Sequence, residues 1–282
     1  MKSRIIAIVV LLILVVQLSA CSLSADKEKY ESCFTNLSED SHVVLILDDS
    51  TFYFTDHTLR LRDITGDEAP NGGYLFANGK LYFSTAKKNG LNNYSLYIYC
   101  CDLYGNNKTL LWEKHDLTTS PWATGKDGVM YFQYRNTSLV ASSQVITSYD
   151  ISTGECRTEG AGKSYSLSNY RKDSSGKYNW EMDDEILTIV DPQENVTYTL
   201  DTVAMLEKSF GSRLDGLKYS FCRLFATADG RIFLLYKFNS NTMDYPHFVC
   251  EYIPSQNEVV FKLLCFAYDI ESFELEYLDN SY

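Results

Sequence analysis

Leu75-Phe76-Ala77-Asn78-Gly79-Lys80-Leu81-Tyr82-Phe83 decides the fold of this chain. Asn-Gly supplies the positive φ angles that a tight hairpin turn needs. Apolar and aromatic residues of strand propensity flank it on both sides. The pattern returns in Gly125-Lys126-Asp127-Gly128-Val129-Met130-Tyr131-Phe132, in Lys172-Asp173-Ser174-Ser175-Gly176-Lys177-Tyr178-Asn179-Trp180 and in Ala226-Thr227-Ala228-Asp229-Gly230-Arg231-Ile232-Phe233-Leu234. The glycines Gly79, Gly128, Gly176 and Gly230 are 49, 48 and 54 residues apart, and a period near 50 marks a modular architecture.

A second hairpin follows in each unit. Tyr94 to Asp102 turns at Tyr104-Gly105-Asn106-Asn107 into Lys108 to Trp112, and Gln144 to Ile151 turns at Ser152-Thr153-Gly154 into Glu155 to Thr158. Ile186 to Asp191 turns at Pro192-Gln193-Glu194-Asn195 into Val196 to Leu200, and His247 to Ile253 turns at Pro254-Ser255-Gln256-Asn257 into Glu258 to Leu264. About four short antiparallel strands per unit is the content of one propeller blade. A shorter first unit pairs Val43 to Leu47 with Thr51 to Phe54 and adds Leu59 to Ile64, which brings the count to five. Phe273 to Leu278 alternates apolar and acidic residues, as a closing strand or as part of a sixth blade. Val203 to Lys208 reads as a short helix between units four and five. The expected fold is an all-β propeller of about five to six four-stranded blades over residues 37–282; a sandwich or a long twisted meander is the competing all-β reading.

Tyr53-Phe54-Thr55-Asp56, followed by Leu59-Arg60-Leu61-Arg62-Asp63-Ile64-Thr65-Gly66, resembles the YWTD-type propeller repeat of lipoprotein-receptor-related proteins, with Phe54 in the place of Trp. Tyr82-Phe83 and Tyr131-Phe132 echo it. The resemblance implies a propeller that binds other molecules, and it brings no catalytic residues.

The first residues carry an export signal. Lys2 and Arg4 precede an apolar run from Ile5 to Val16, and Leu18-Ser19-Ala20-Cys21 ends it with small residues before a cysteine. The run is short for a bilayer core of about 30 Å. The ordering resembles the bacterial lipobox, which implies removal of residues 1–20 and lipidation of Cys21. Residues 21–36 then read as the lipidated Cys21 and a polar tether, and the protein as held on the extracytoplasmic face of a cell membrane. Two or three acyl chains anchor far more firmly than one.

The net charge is −12, and loss of Lys2 and Arg4 leaves −14. Such a surface repels phosphate backbones and excludes nucleic acid as a partner. The 22 tyrosines, 15 phenylalanines and only five prolines fit an aromatic-rich β protein. Seven cysteines follow Cys21, none spaced Cys-x-x-Cys, and they read as small apolar packing residues. Cys100 and Cys101 adjoin in a strand, so their side chains should face opposite ways.

The chain has no Gly-x-Ser-x-Gly elbow, His-Glu-x-x-His helix, Walker loop or Gly-x-Gly-x-x-Gly turn. His42, His57, His115 and His247 lie in different units and read as surface or packing residues. The acidic clusters Asp48-Asp49 and Asp183-Asp184-Glu185 read as turn chemistry rather than calcium ligands. Trp112, Trp122 and Trp180 read mainly as packing. No catalytic, cofactor or metal residue is assigned. The expected function is that of a non-catalytic binding or scaffold propeller, with an unidentified protein or carbohydrate ligand. The segments Ala86–Asn93 and Asn239–Pro246 are its candidate contact loops. The alternative is an extracellular propeller enzyme of glycosidase or lyase type with a site in the central channel, for which a carboxylate pair would be the sign.

Overall fold

The computed structural model describes residues 27–37, 42–47, 50–138, 141–161, 178–191, 193–227, 230–239, 245–267 and 273–278. A helical stretch, α1, covers 27–33. β1 (Val43–Leu47), β2 (Thr51–Tyr53) and β3 (Thr58–Arg60) meander into α2 (Leu61–Thr65). The second sheet is β4 (Ala69–Ala77), β5 (Lys80–Gly90), β6 (Asn93–Asp102) and β7 (Thr109–Leu117). The third is β8 (Trp122–Lys126), β9 (Val129–Ser138), β10 (Ala141–Asp150) and β11 (Cys156–Ala161). The fourth has three strands, β12 (Asn179–Asp183), β13 (Ile186–Asp191) and β14 (Val196–Asp201), and leads into α3 (Thr202–Phe210). The fifth is β15 (Tyr219–Ala226), β16 (Ile232–Phe238), β17 (Tyr245–Ile253) and β18 (Glu258–Ala267). β19 (Phe273–Tyr277) pairs antiparallel with β1, from Val43↔Tyr277 to Leu47↔Phe273. The C-terminal run is therefore the fourth strand of the first sheet, in the order β19-β1-β2-β3, and begins no sixth unit.

The fold is all-β, built of antiparallel meanders. Asn78 and Gly79 take φ 52 and 67 between β4 and β5, and Asp127 and Gly128 take φ 50 and 76 between β8 and β9. These are the left-handed angles the sequence pattern demands. Gly230 lies in the β15–β16 connection with φ 88, while Ser175, Gly176 and Asp229 lie outside the described residues. Leu59 to Ile64 departs from the expected strand only after Arg60: the backbone N–H of Leu61 still donates to the Ser50 carbonyl at 2.8 Å, in register with the Thr51↔Arg60 pair, and the chain then coils into α2. Coiling buries Leu61 and Thr65, which a continuing strand would carry onward. Gly125 marks a close approach of the second and third sheets, since a Cβ there would run into the Tyr74 carbonyl oxygen.

Two compact units result, one of Met1–Asp40 and Gly176–Ile270, the other of Ser41–Ser175 and Glu271–Tyr282. In the second unit consecutive sheets share cores. Phe52, Phe76, Phe83, Tyr99 and Cys101 fill the layer between the first and second sheets, and Leu96, Ile98, Cys100, Met130 and Phe132 that between the second and third. Cys100 and Cys101 thus face opposite cores, as strand alternation requires. Each fully buried Phe contributes roughly 2–3 kcal/mol by leaving water. The seven described cysteines are free. Burial pushes the Cys101 thiol up to about 12 and the Cys222 thiol up to about 11, which keeps them protonated and unreactive at neutral pH.

The first unit corrects one boundary. Residues 27–36, expected in the tether, belong to its core: Tyr30, Cys33 and Phe34 are 7%, 7% and 4% exposed. Phe34 stacks on Phe261 at 4.3 Å and meets Phe210 edge-on at 5.9 Å, and Tyr30 lies 4.7 Å from Phe238. The cause is helical spacing, since Tyr30, Cys33, Phe34 and Leu37 fall at i, i+3, i+4 and i+7, the first two on one face of α1 and the others just beyond its end.

Candidate functional site

Strand alternation sorts β6 into two faces. Leu96, Ile98 and Cys100 enter the core toward the third sheet, while Asn93, Ser95, Tyr97 and Tyr99 share the other face. On that second face polar and aromatic groups form a continuous track. At the β4 side, Glu68 accepts from Thr85 Oγ1 (2.6 Å) and from Tyr99 Oη (2.9 Å), one bond per carboxylate oxygen. Burial, then the Glu68 carboxylate, raises the Tyr99 phenol well above its ordinary value, so it remains a donor. Tyr97 stacks on Tyr99 at 6.2 Å and meets the His115 ring edge-on at 5.9 Å. His115 Nδ1 lies 2.8 Å from Ser95 Oγ, which accepts from Asn89 Nδ2 at 2.7 Å. Asn89 also donates to Asn93 Oδ1 (3.2 Å), and Asn93 donates to Asp116 (3.3 Å).

The segment Ala86–Asn93, expected as a loop, is mostly strand. β5 runs through Gly90 and β6 begins at Asn93, which leaves Leu91 and Asn92 as a two-residue turn. Asn92 takes φ 52 there, and Leu91 is 91% exposed. Asn89 and Asn93 therefore stand on paired strands and are oriented by them. Of the second segment, residues 240–244 lie outside the described residues, and Pro246 lies in β17.

Ser95, His115 and Glu113 stand in the chemical order of a hydrolase triad, with His115 Nε2 3.4 Å from Glu113 Oε2. Two features oppose that role. Ser95 is 1% exposed, and its oxygen accepts from Asn89, which draws electron density from a nucleophile. The arrangement fixes His115 and the asparagines as hydrogen-bonding groups at the surface.

The opposite end of the second sheet holds another ordered cluster. His57 is stacked between Phe54 (4.4 Å) and Tyr104 (4.2 Å). Its ring nitrogens face Asp56 Oδ1 (2.6 Å) and the Leu103 carbonyl (2.9 Å), and Tyr104 Oη donates to Asp56 at 2.6 Å. The Tyr104 hydroxyl, then His57, hold the Asp56 carboxyl below the usual carboxylate range.

His42 and His247 join neither cluster, and His247 is buried. Asp183-Asp184-Glu185 forms the β12–β13 turn, with Asp184 at φ 57 and the Glu185 carbonyl accepting from Thr202 N–H (2.9 Å). Among the described residues no group of three His, Cys, Asp or Glu is placed to hold a metal ion. Asp48-Asp49 and Cys21 lie outside the described residues. Trp112 packs on Phe132 between sheets, whereas Trp122 is 65% exposed.

No protein-family model matches the chain, and no curated protein matches it in sequence. Among solved structures it is similar to a hypothetical protein from Leishmania major, at 10% identity over 71% of this chain and 68% of that one, with a TM-score of 0.27. A GDP-Man-dependent mannosyltransferase from Leishmania mexicana overlaps at 13% identity over 66% of this chain, with a TM-score of 0.23. The chain spans 65% of that enzyme's length. The GH43_1 enzyme from Xanthomonas citri complexed with xylotriose overlaps at 8% identity over 85% of this chain and 93% of that one, with a TM-score of 0.26. Overlaps this slight assign the chain neither a fold nor an activity.

Proposed function

We propose that the chain is an exported lipoprotein, held on the outer face of a membrane through acylated Cys21. Its five sheets are the blades of one YWTD-like β-propeller that binds a protein or carbohydrate without transforming it. The anchor is supported by the ordering of Leu18, Ala20 and Cys21 behind a basic, apolar leader. The propeller is supported by the period near 50, the meander order within each sheet and the supply of the first sheet's fourth strand from the chain's other end. One observation carries the binding reading. His115, Asn93 and Asp116 are ordered at the surface by hydrogen bonds reaching back to Ser95, whereas the hydroxyl a hydrolase would present is closed off. Preorganised donors and acceptors lower the ordering cost of binding.

The test is a screen of the purified mature protein against glycan and peptide arrays. We expect His115→Ala and Asn93→Ala to weaken the captured ligand by about tenfold or more, near 1.4 kcal/mol, at unchanged unfolding temperature. Binding untouched by both substitutions would remove the track from the argument. Turnover of a polysaccharide or peptide by the wild-type protein, abolished in Ser95→Ala, would overturn the non-catalytic reading.

A further inference from the structure

We infer that the face of the first unit carrying α1 lies directly against phospholipid headgroups, an inference that rests on the Cys21 anchor proposed above. Three observations converge on it. First, α1 is part of the core: Tyr30, Cys33 and Phe34 are buried, and Arg213 Nη1 donates to the Thr35 carbonyl at 2.6 Å, so residues 30–35 are fixed on the unit. Second, five residues lie between Cys21 and Lys27, and the six residue-to-residue steps from one to the other reach no more than about 20 Å when fully extended. A tether free through residue 36 would reach more than twice as far; docking of α1 removes that slack. Third, the surface is electrically tolerable there. In a chain of net charge −12, residues 27–37 carry Lys27 and Lys29 against Glu28 and Glu31, with Arg213 added. Anionic headgroups repel most of this protein but not this patch.

The experiment uses the acylated full-length protein in vesicles of phosphatidylcholine and phosphatidylglycerol, mixed about three to one. A genetically encoded fluorophore is placed at Ser32 or Asn36 on this face, or at the exposed Asp184 of the same unit, which lies beside the start of α3 while Phe34 meets its end at Phe210, and quenched by a nitroxide on the lipid headgroup. Quenching at residues 32 and 36 should exceed that at 184 by about threefold or more. Insertion of twelve Gly-Ser residues before Lys27 should abolish the difference while the protein stays on the vesicles. Mass spectrometry of Cys21 separates the two readings. An unmodified Cys21 overturns the anchor and this inference together. An acylated Cys21 with even quenching, or with stronger quenching at 184, overturns the orientation alone.

Discussion

Tyr104 is 59% exposed yet held in one orientation, stacked on His57 and hydrogen-bonded to Asp56. That bond has a pH signature. The folded Asp56 carboxyl titrates below its unfolded value, so it adds stability above the unfolded pKa, and the contribution is lost as pH falls below about 4. Tyr104→Phe removes the largest cause of the shift. The acid-side decline of the unfolding temperature between about pH 5 and 2.5 should become shallower, with little change in the ring stack; an unchanged slope would dismiss the clamp. From sequence alone His57 and His115 read as surface or packing residues, and in the structure each is ordered by partners distant in sequence. His57 meets the Leu103 carbonyl, and His115 meets Ser95. Those partnerships follow from strand register, which single residues do not announce. One signal was available: Asn93, Ser95, Tyr97 and Tyr99 alternate with Leu96, Ile98 and Cys100, which separates a polar track from a core face.

Among the elements, hairpins were the most legible because turn chemistry is local. β13 and β14 fall at Ile186–Asp191 and Val196–Asp201, beside the expected Ile186 to Asp191 and Val196 to Leu200. α3 was legible too: Asp201 caps it, accepting from the Val203 and Ala204 N–H groups at 3.0 and 2.9 Å. α2 was not, since Leu59 and Leu61 alternate as a strand would, yet the chain coils after Arg60. α1 was hidden among charges, although Tyr30, Cys33, Phe34 and Leu37 hold helical spacing. Its docking gives a clear expectation. Phe34→Ala should destabilise the first unit by about 3–5 kcal/mol, since four phenylalanines surround the lost ring. Hydrogen exchange would show faster opening of β16–β18, whereas a residue in a free tether would leave exchange unchanged.

In the whole molecule, the repeat foretold the meanders but not how the chain is shared between units. Both are discontinuous: residues before Asp40 join the stretch Gly176–Ile270, and Glu271–Tyr282 returns to the unit begun at Ser41. Nothing local in Phe273 to Tyr277 names β1 as its partner, because its alternation would suit any sheet edge. Truncation after residue 272 should leave β1 as an unpaired edge and expose Val43, Val44 and Leu45, each now fully buried. We expect aggregation at micromolar concentration and early thermal unfolding of the second unit, followed by scattering and circular dichroism; a soluble protein with wild-type unfolding would refute the role of β19. The pairing of β1 with β19 also imposes an order in time. β1 leaves the ribosome before its outer neighbour, which follows about 230 residues later. If the chain crosses a membrane as an extended thread, the first sheet waits with one edge open until Phe273–Tyr277 has crossed. Closing so long a loop is entropically slow, so exposure of that edge to proteases and chaperones lasts until β19 has arrived and paired.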